Sequence, residues 1–298
     1  MSVSESLGAR KEASLSQGTI RYRERGSGEP LVFVHGLLVN GDLWRKVVPE
    51  LSKDFRCITP DWPLGSHEAP MGAQADLTPP GLAKIVADFL AALELENVTL
   101  VGNDTGGAIC QLVVTEHGER IGRLVLTSCD AFEVFPPPLI AYLPWAARVP
   151  GAVPLLMQSL RFEPLRRLPL TFGWTAKRLP GREISDGFVR PVLSNGGVRR
   201  DLKKFLKGVS NKHTLAAAEK LGNFDRPALV VWAGDDRFFP FRLAERLAER
   251  LPQSRLERVE DSYTFIPEDQ PDRLVDLIRD FARQPAREGS TQREGAEA

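Results

Sequence analysis

The chain is predicted to be an α/β protein: a mostly parallel central sheet with helices on both faces and an inserted helical segment. Two observations lead there. Short β-branched runs alternate with amphipathic helical stretches, and the rhythm breaks once, over residues 131–223, in a segment rich in proline, arginine and aromatic residues. With 298 residues and 42% hydrophobic content, the chain can bury one large core, so a single α/β domain with an insertion accounts for its length.

The elements follow in order. Residues 1–18 are polar, lack an apolar segment and read as a flexible tail, which starts the core at residue 19. Residues 31–34 (LVFV), 57–59 (CIT), 98–101 (VTLV), 124–126 (LVL) and 229–232 (LVVW) are short, apolar and β-branched, as strands buried on both faces are. Between the second and third, Leu82, Ile85, Val86, Phe89, Leu90 and Leu93 keep helical spacing, with Thr78 as N-cap and Pro79 at the first helical position. Leu274, Leu277, Ile278 and Phe281 repeat the pattern behind Pro271. The core is therefore drawn as residues 19–130 and 224–284, with 131–223 as a helical lid and 285–298 as a second tail. A lid over the carboxyl edge of a parallel sheet covers the place where such sheets bind ligands, so Trp145 and Trp174 are pocket candidates; any single lid aromatic fits the lid's own core equally well.

Composition excludes several classes of function. Lys plus Arg and Asp plus Glu both total 39, so no global field favours nucleic acid, an anionic membrane surface or a strongly charged substrate; the expected partner is a small molecule. Cys57, Cys110 and Cys129 lack metal or redox spacing and read as free buried thiols of a reducing compartment, which together with the polar N-terminus makes a cytoplasmic protein the expectation. The four histidines are scattered and the glycines of 102–107 lack the dinucleotide spacing, so neither a metal nor another cofactor is expected. Oligomeric state is not legible.

One motif carries chemistry. The strand at 98–101 runs into 102–107 (GNDTGG) and then into the helical run Ala108, Ile109, Leu112, Val113. Small residues at Gly102 and Gly106 let the chain reverse where side chains would collide, which forces Asp104 outward at a helix N-terminus. The helix dipole there is expected to keep the carboxylate ionised and ready to attack; a plain N-cap aspartate would look the same.

A second motif, His35-Gly36, follows the strand at 31–34, and from Leu31 to about Phe281 the chain resembles the α/β-hydrolase family. Its aspartate turn is similar to the branch of haloalkane and fluoroacetate dehalogenases and epoxide hydrolases. The resemblance implies Asp104 as nucleophile, the backbone N–H groups of Leu37 and Thr105 as oxyanion donors, and His35 and Gly36 as supports of the oxyanion turn. It places the histidine-orienting carboxylate in 233–240 (AGDDRFFP), where Asp236 matches better than Asp235 by its spacing to Pro240; a turn using Asp for backbone hydrogen bonds is the alternative. The histidine itself is missing. In 261–267 (DSYTFIP), after a strand around Leu256 to Val259, Thr264 stands where it is expected, and threonine accepts no proton near neutral pH. In the resembling enzymes histidine activates the water that breaks a covalent aspartyl ester, so its loss should slow the second step more than the first.

Of the remaining imidazoles, His67 is the best candidate to touch substrate, because it follows the strand at 57–59 at the ligand-binding edge; a turn or exposed role is its alternative. Thr105 replaces both the tryptophan that holds halide in haloalkane dehalogenases and the arginine that holds carboxylate in fluoroacetate dehalogenases. Tyr142 is the only lid tyrosine where epoxide hydrolases use two. Three readings therefore stand: a hydrolase attacking a small hydrophobic ester, epoxide or halide through Asp104; a non-hydrolytic enzyme performing proton transfer, lyase or cyclisation chemistry with Asp104 as base; and a small-molecule-binding protein on the same fold.

Overall fold

The structure is a computed structural model that describes residues 4–283. Eight strands form one sheet: β1 (Ala9–Leu15), β2 (Gly18–Arg25), β3 (Pro30–Val34), β4 (Arg56–Pro60), β5 (Val98–Asp104), β6 (Ile121–Cys129), β7 (Ala228–Ala233) and β8 (Ser254–Val259). Their order across the sheet is β1-β2-β4-β3-β5-β6-β7-β8. The pairings of β2 with β1 and with β4 are antiparallel; all others are parallel. Strands β3, β5, β6 and β7 are buried almost throughout, which is why their sequences read as continuous apolar runs rather than alternating ones.

The helices α1 (Val48–Leu51), α2 (Pro79–Ala92) and α3 (Thr105–Glu116) come before β6. The Thr78 side chain caps α2 by accepting the Gly81 N–H at 3.3 Å, and Leu82, Ile85, Val86 and Phe89 are buried against the sheet. Six α-helices lie between β6 and β7: α4 (Tyr142–Ala146), α5 (Ala152–Ser159), α6 (Glu163–Arg166), α7 (Arg182–Ser194), α8 (Gly196–Gly208) and α9 (Asn211–Lys220). After β7 come α10 (Arg242–Arg250), α11 (Ile266–Asp269) and α12 (Pro271–Ala282). The middle of the inserted segment is lashed to the sheet domain. Phe265 N–H donates to Thr175 O at 2.6 Å, Asp269 accepts the N–H groups of Lys177 and Arg178 at 2.9 and 2.7 Å, and Ser66 Oγ donates to Phe188 O at 2.6 Å.

The reading of residues 1–18 as a tail is corrected. Residues 9–15 are strand β1, paired along its whole length with β2, and Leu7 before it is fully buried. The signal was weak because β1 is an edge strand with one buried residue, Ala13, and its charged side chains lie on solvated faces. The folded unit therefore begins well before residue 19. The stretch 285–298, expected to be a second tail, lies outside the described residues.

Between β3 and β5 the chain changes direction: β4 lies on one side of β3, and β5 on the other. Open α/β sheets bind ligands outside the carboxyl ends of strands at such a switch point. Leu37 follows β3 and Asp104 ends β5, so the topology alone brings them together.

Candidate active site

Asp104 is the last residue of β5 and directly precedes α3. Its backbone has φ 54° and ψ −132°, a sparsely populated region for a residue with a side chain, and the pairing with β6 is irregular between Asn103 and Asp104. Close packing holds it there. A Cβ on Gly106 would lie 2.1 Å from Val34 O, and one on Gly36 would lie 2.0 Å from Asp104 Oδ2. Glycine at 36 and 106 is thus required because the β3 loop and the turn press directly against each other, with the carboxylate between them.

Leu37 N–H donates to Asp104 Oδ2 at 3.2 Å, and the Thr105 N–H donates to the same carboxylate. The Asp104 side chain makes none of the usual capping bonds to the first turn of α3, so the plain N-cap alternative is not what the geometry contains. The two donors favour the charged form, but burial outweighs them. The Asp104 carboxyl is pushed up to about 7, mainly by desolvation and further by the charge of Asp236. The expectation that the helix dipole keeps this group ionised is therefore corrected: a dipole acting through two hydrogen bonds is weaker here than the loss of water.

Asp236 lies in the loop after β7. Its Oδ1 accepts the N–H groups of Phe238 and Phe239 at 2.8 and 2.9 Å and the Thr264 hydroxyl at 3.0 Å. It is both the turn-maker and the partner of Thr264, and burial raises it to about 6. Asp235 turns away to an ion pair with Lys177 at 2.5 Å. Thr264 is fully buried, and Asn103, adjacent to Asp104, donates from Nδ2 to Thr264 O at 2.8 Å and to Thr127 O at 3.1 Å. The residue before the turn thus holds the loop that carries Thr264.

Sequence reasoning missed Asp130. It follows β6 immediately, is buried, and its Oδ2 accepts the Thr105 hydroxyl at 3.2 Å. Burial, reinforced by the charge of Asp104, holds it well above the usual carboxylate range. The signal that would have found it is an aspartate directly after the strand that carries the apolar run 124–126, at the same sheet edge as Asp104.

His35 is fully buried. Trp62 N–H donates to its Nε2 at 2.8 Å, so the proton is on Nδ1 and donates to Gly36 O at 2.9 Å. Desolvation lowers its pKa to about 4, so a neutral ring braces the loop that presents Leu37.

Asp104 opens onto a cavity of about 110 Å³ whose walls include Leu37, Leu38, Leu143, Met157, Leu160, Phe172, Phe238 and Phe265. Its remaining polar groups are Tyr142, Ser159, Thr171 and Thr175, and no basic side chain lines it. Three pocket candidates are corrected. His67 is buried away from this cavity, with Nε2 3.3 Å from Asp201 Oδ2 on α8, because its loop packs against the insertion. Trp145 and Trp174 are on the outside, 68% and 36% exposed, because α4 and the turn near 174 present smaller apolar neighbours inward.

A half-buried carboxylate on a strand-to-helix turn, next to a loop after β3 and facing a carboxylate after β7, defines the class. The sequence profile of the alpha/beta hydrolase fold family matches residues 29–271, and the chain belongs to that family. Among curated relatives, Haloalkane dehalogenase 2 of Mycobacterium tuberculosis is 28% identical over 273 residues, covering 88% of this chain and 91% of its own. The uncharacterized hydrolase YugF of Bacillus subtilis is 26% identical over 256 residues, covering 86% and 90%. Among solved structures, the epoxide hydrolase CorEH matches with a TM-score of 0.75 at 21% identity, over 92% of this chain and 98% of its own. The relatives thus support a hydrolase, and the structure has the family's mostly parallel sheet.

Proposed function

We propose that the chain is a hydrolase-type enzyme that uses Asp104 as a nucleophile on a small, uncharged, hydrophobic electrophile: an epoxide, an alkyl halide or an activated ester. The observation that carries this reading is the placement of the Asp104 carboxylate, held through Oδ2 by Leu37 N–H at 3.2 Å at the floor of an apolar cavity. One carboxylate oxygen is anchored and the other is left to attack. As its lone pair forms the new C–O bond, the C–halogen or C–O bond of the substrate breaks and the electron pair leaves with the halide or the oxygen. Tyr142 lines the same cavity and is the group proposed to give a proton to a leaving oxygen, a role that suits an oxygen electrophile rather than a halide. The absence of basic lining residues argues against an anionic substrate.

In the second step water attacks the aspartyl ester carbonyl, the acyl C–O bond breaks, one water proton goes to the departing alcohol oxygen and the other to solvent as the Asp104 carboxylate is restored; the N–H groups of Leu37 and Thr105 face the oxygen on which charge develops. No imidazole accepts the water's proton, since Thr264 occupies that place against Asp236. The covalent ester is therefore expected to be long-lived, and the segment 131–223 is proposed to act as the lid that keeps it dry.

The non-hydrolytic reading has its own support: a carboxyl raised to about 7 is suited to act as a base near neutral pH, and proton transfer needs no histidine. Intact-protein mass spectrometry after incubation with epoxides, alkyl halides and activated esters separates the two. An adduct on the parent protein, absent from Asp104→Asn, supports nucleophilic attack. Substrate turned over by the parent and not by Asp104→Asn, with no adduct even after a rapid quench, would replace it with the base.

A further inference from the structure

Most exposed apolar side chains of this protein fall in one place. Eight of the nine large hydrophobic residues that stand exposed among the described residues lie between positions 142 and 174, and the most open are Trp145 at 68%, Leu155 at 75% and Phe162 at 66%. These three come from α4, from α5 and from the residue just before α6. Tyr142 and Leu170 are both exposed and line the Asp104 cavity, so the cavity mouth opens within this patch. Single exposed hydrophobics are ordinary; a group of this size around one opening marks an interaction surface.

The charge around it is also segregated. The balance of 39 basic and 39 acidic residues over the whole chain conceals an insertion, residues 131–223, that holds 15 of the former and 6 of the latter, an excess of nine positive charges. Several of these cations are tied up: Arg166 by Asp186, Arg167 by Glu163, Lys177 and Arg178 by Asp261. Arg148, Arg161, Arg190 and Lys207 make no ion pair among the described residues. Arg148 lies two residues after α4 and donates to the backbone Lys207 O at 3.4 Å, which brings the chain at Lys207 up to the guanidinium close in sequence to Trp145. Arg161 adjoins Phe162 and shares an open groove with Arg190, where Asp186 is already neutralised by Arg166.

We propose that this outer face of the insertion docks on the surface of an anionic lipid bilayer, with the mouth of the Asp104 cavity turned toward the lipid. Tryptophan, phenylalanine and leucine flanked by unpaired arginine and lysine are the chemistry of a peripheral membrane face: the rings enter the interface while the cations meet the lipid phosphates. A second copy of the chain fits less well, because a symmetric pairing of this face would bring its unpaired cations together. Docked this way, the cavity would receive apolar molecules dissolved in the bilayer without their passing through water. The inference does not depend on what chemistry Asp104 performs.

The test is co-sedimentation of the full chain with vesicles of phosphatidylcholine alone and of phosphatidylcholine mixed with phosphatidylglycerol, at low and high salt. Binding to the mixed vesicles, weakened by salt, is expected. Each basic residue near an anionic surface contributes about a fivefold factor, so the double variant Arg161→Glu and Arg190→Glu should bind about 25-fold less or weaker still. Trp145→Ser with Phe162→Ser should also release the protein, whereas Leu215→Ser, an exposed leucine outside the patch, should leave binding unchanged. All these positions are at the surface, and equal melting temperatures will show that the fold is kept. Absence of binding to mixed vesicles overturns the proposal. So does binding indifferent to both double variants, or a dimer in sedimentation velocity that Trp145→Ser with Phe162→Ser converts to monomer.

Discussion

Asp104→Asn should stabilise this protein, and more so as pH rises. The carboxyl has a pKa of about 7 in the folded chain against an ordinary value of 3.8, so the folded state holds a proton that the unfolded state gives up between those values. The sign follows from linkage: where the native state binds more protons, stability falls with increasing pH, here from about pH 4 to about pH 7, and is flat above. Three units at about 1.4 kcal/mol each set an upper bound near 4 kcal/mol; part of this is lost because the carboxylate faces the cavity, leaving on the order of 3 kcal/mol at pH 8 and about 1 kcal/mol at pH 5. Asparagine removes the charge and little else. It is isosteric, tolerates the positive φ of 54° at this position, and its amide oxygen can still accept the Leu37 N–H. Removing the charge also relieves Asp236 and Asp130, which adds to the effect in the same direction. Urea unfolding of both proteins at pH 5 and pH 8 measures it. A variant no more stable than the parent at pH 8, or a gain that does not grow with pH, would refute the claim that burial dominates this carboxylate.

Three further outcomes follow from the same geometry. Adduct formation at Asp104 should track its ionised fraction and so rise roughly ninetyfold between pH 5 and pH 8 for a pKa of about 7; a rate already level at pH 5 would place the carboxyl in its ordinary range. Thr264→His puts an imidazole beside Asp236 and should shorten the lifetime of an Asp104 ester by about 10²-fold or more, read as decay of the adduct mass after excess electrophile is removed; an unchanged lifetime in a folded variant would show that the missing base is not what slows the second step. Asn103→Leu removes the amide that donates to Thr127 O and Thr264 O and leaves both acceptors buried, which should cost about 2–4 kcal/mol by urea unfolding; a loss below about 0.5 kcal/mol would mean the amide does not hold the loop.

Much of the scaffold was legible because its signals are local. The central strands are apolar on both faces, α2 shows its buried stripe and its Thr78 cap, and the glycines around Asp104 mark a turn with no room for side chains. The contact between Asp236 and Thr264 was also readable, as a spacing within one loop and a substitution within another. The N-terminal hairpin was not, because an edge strand with one buried residue has the composition of a tail.

By itself the sequence determined the order of elements, the aspartate at the turn and the threonine where a histidine is expected, since each depends on residues near one another in the chain. Only the tertiary structure decided that Asp130 joins Asp104 and Asp236 at one sheet edge, that Phe172 lines the cavity while Trp145 and Trp174 face outward, and that His67 pairs with Asp201. It also moved Asp104 from a carboxylate expected to stay ionised to a group that titrates at about 7. A dipole and a turn are written in neighbouring residues, but desolvation is the sum of everything the chain packs around a group, and most of what surrounds Asp104 comes from strands and loops far away in sequence.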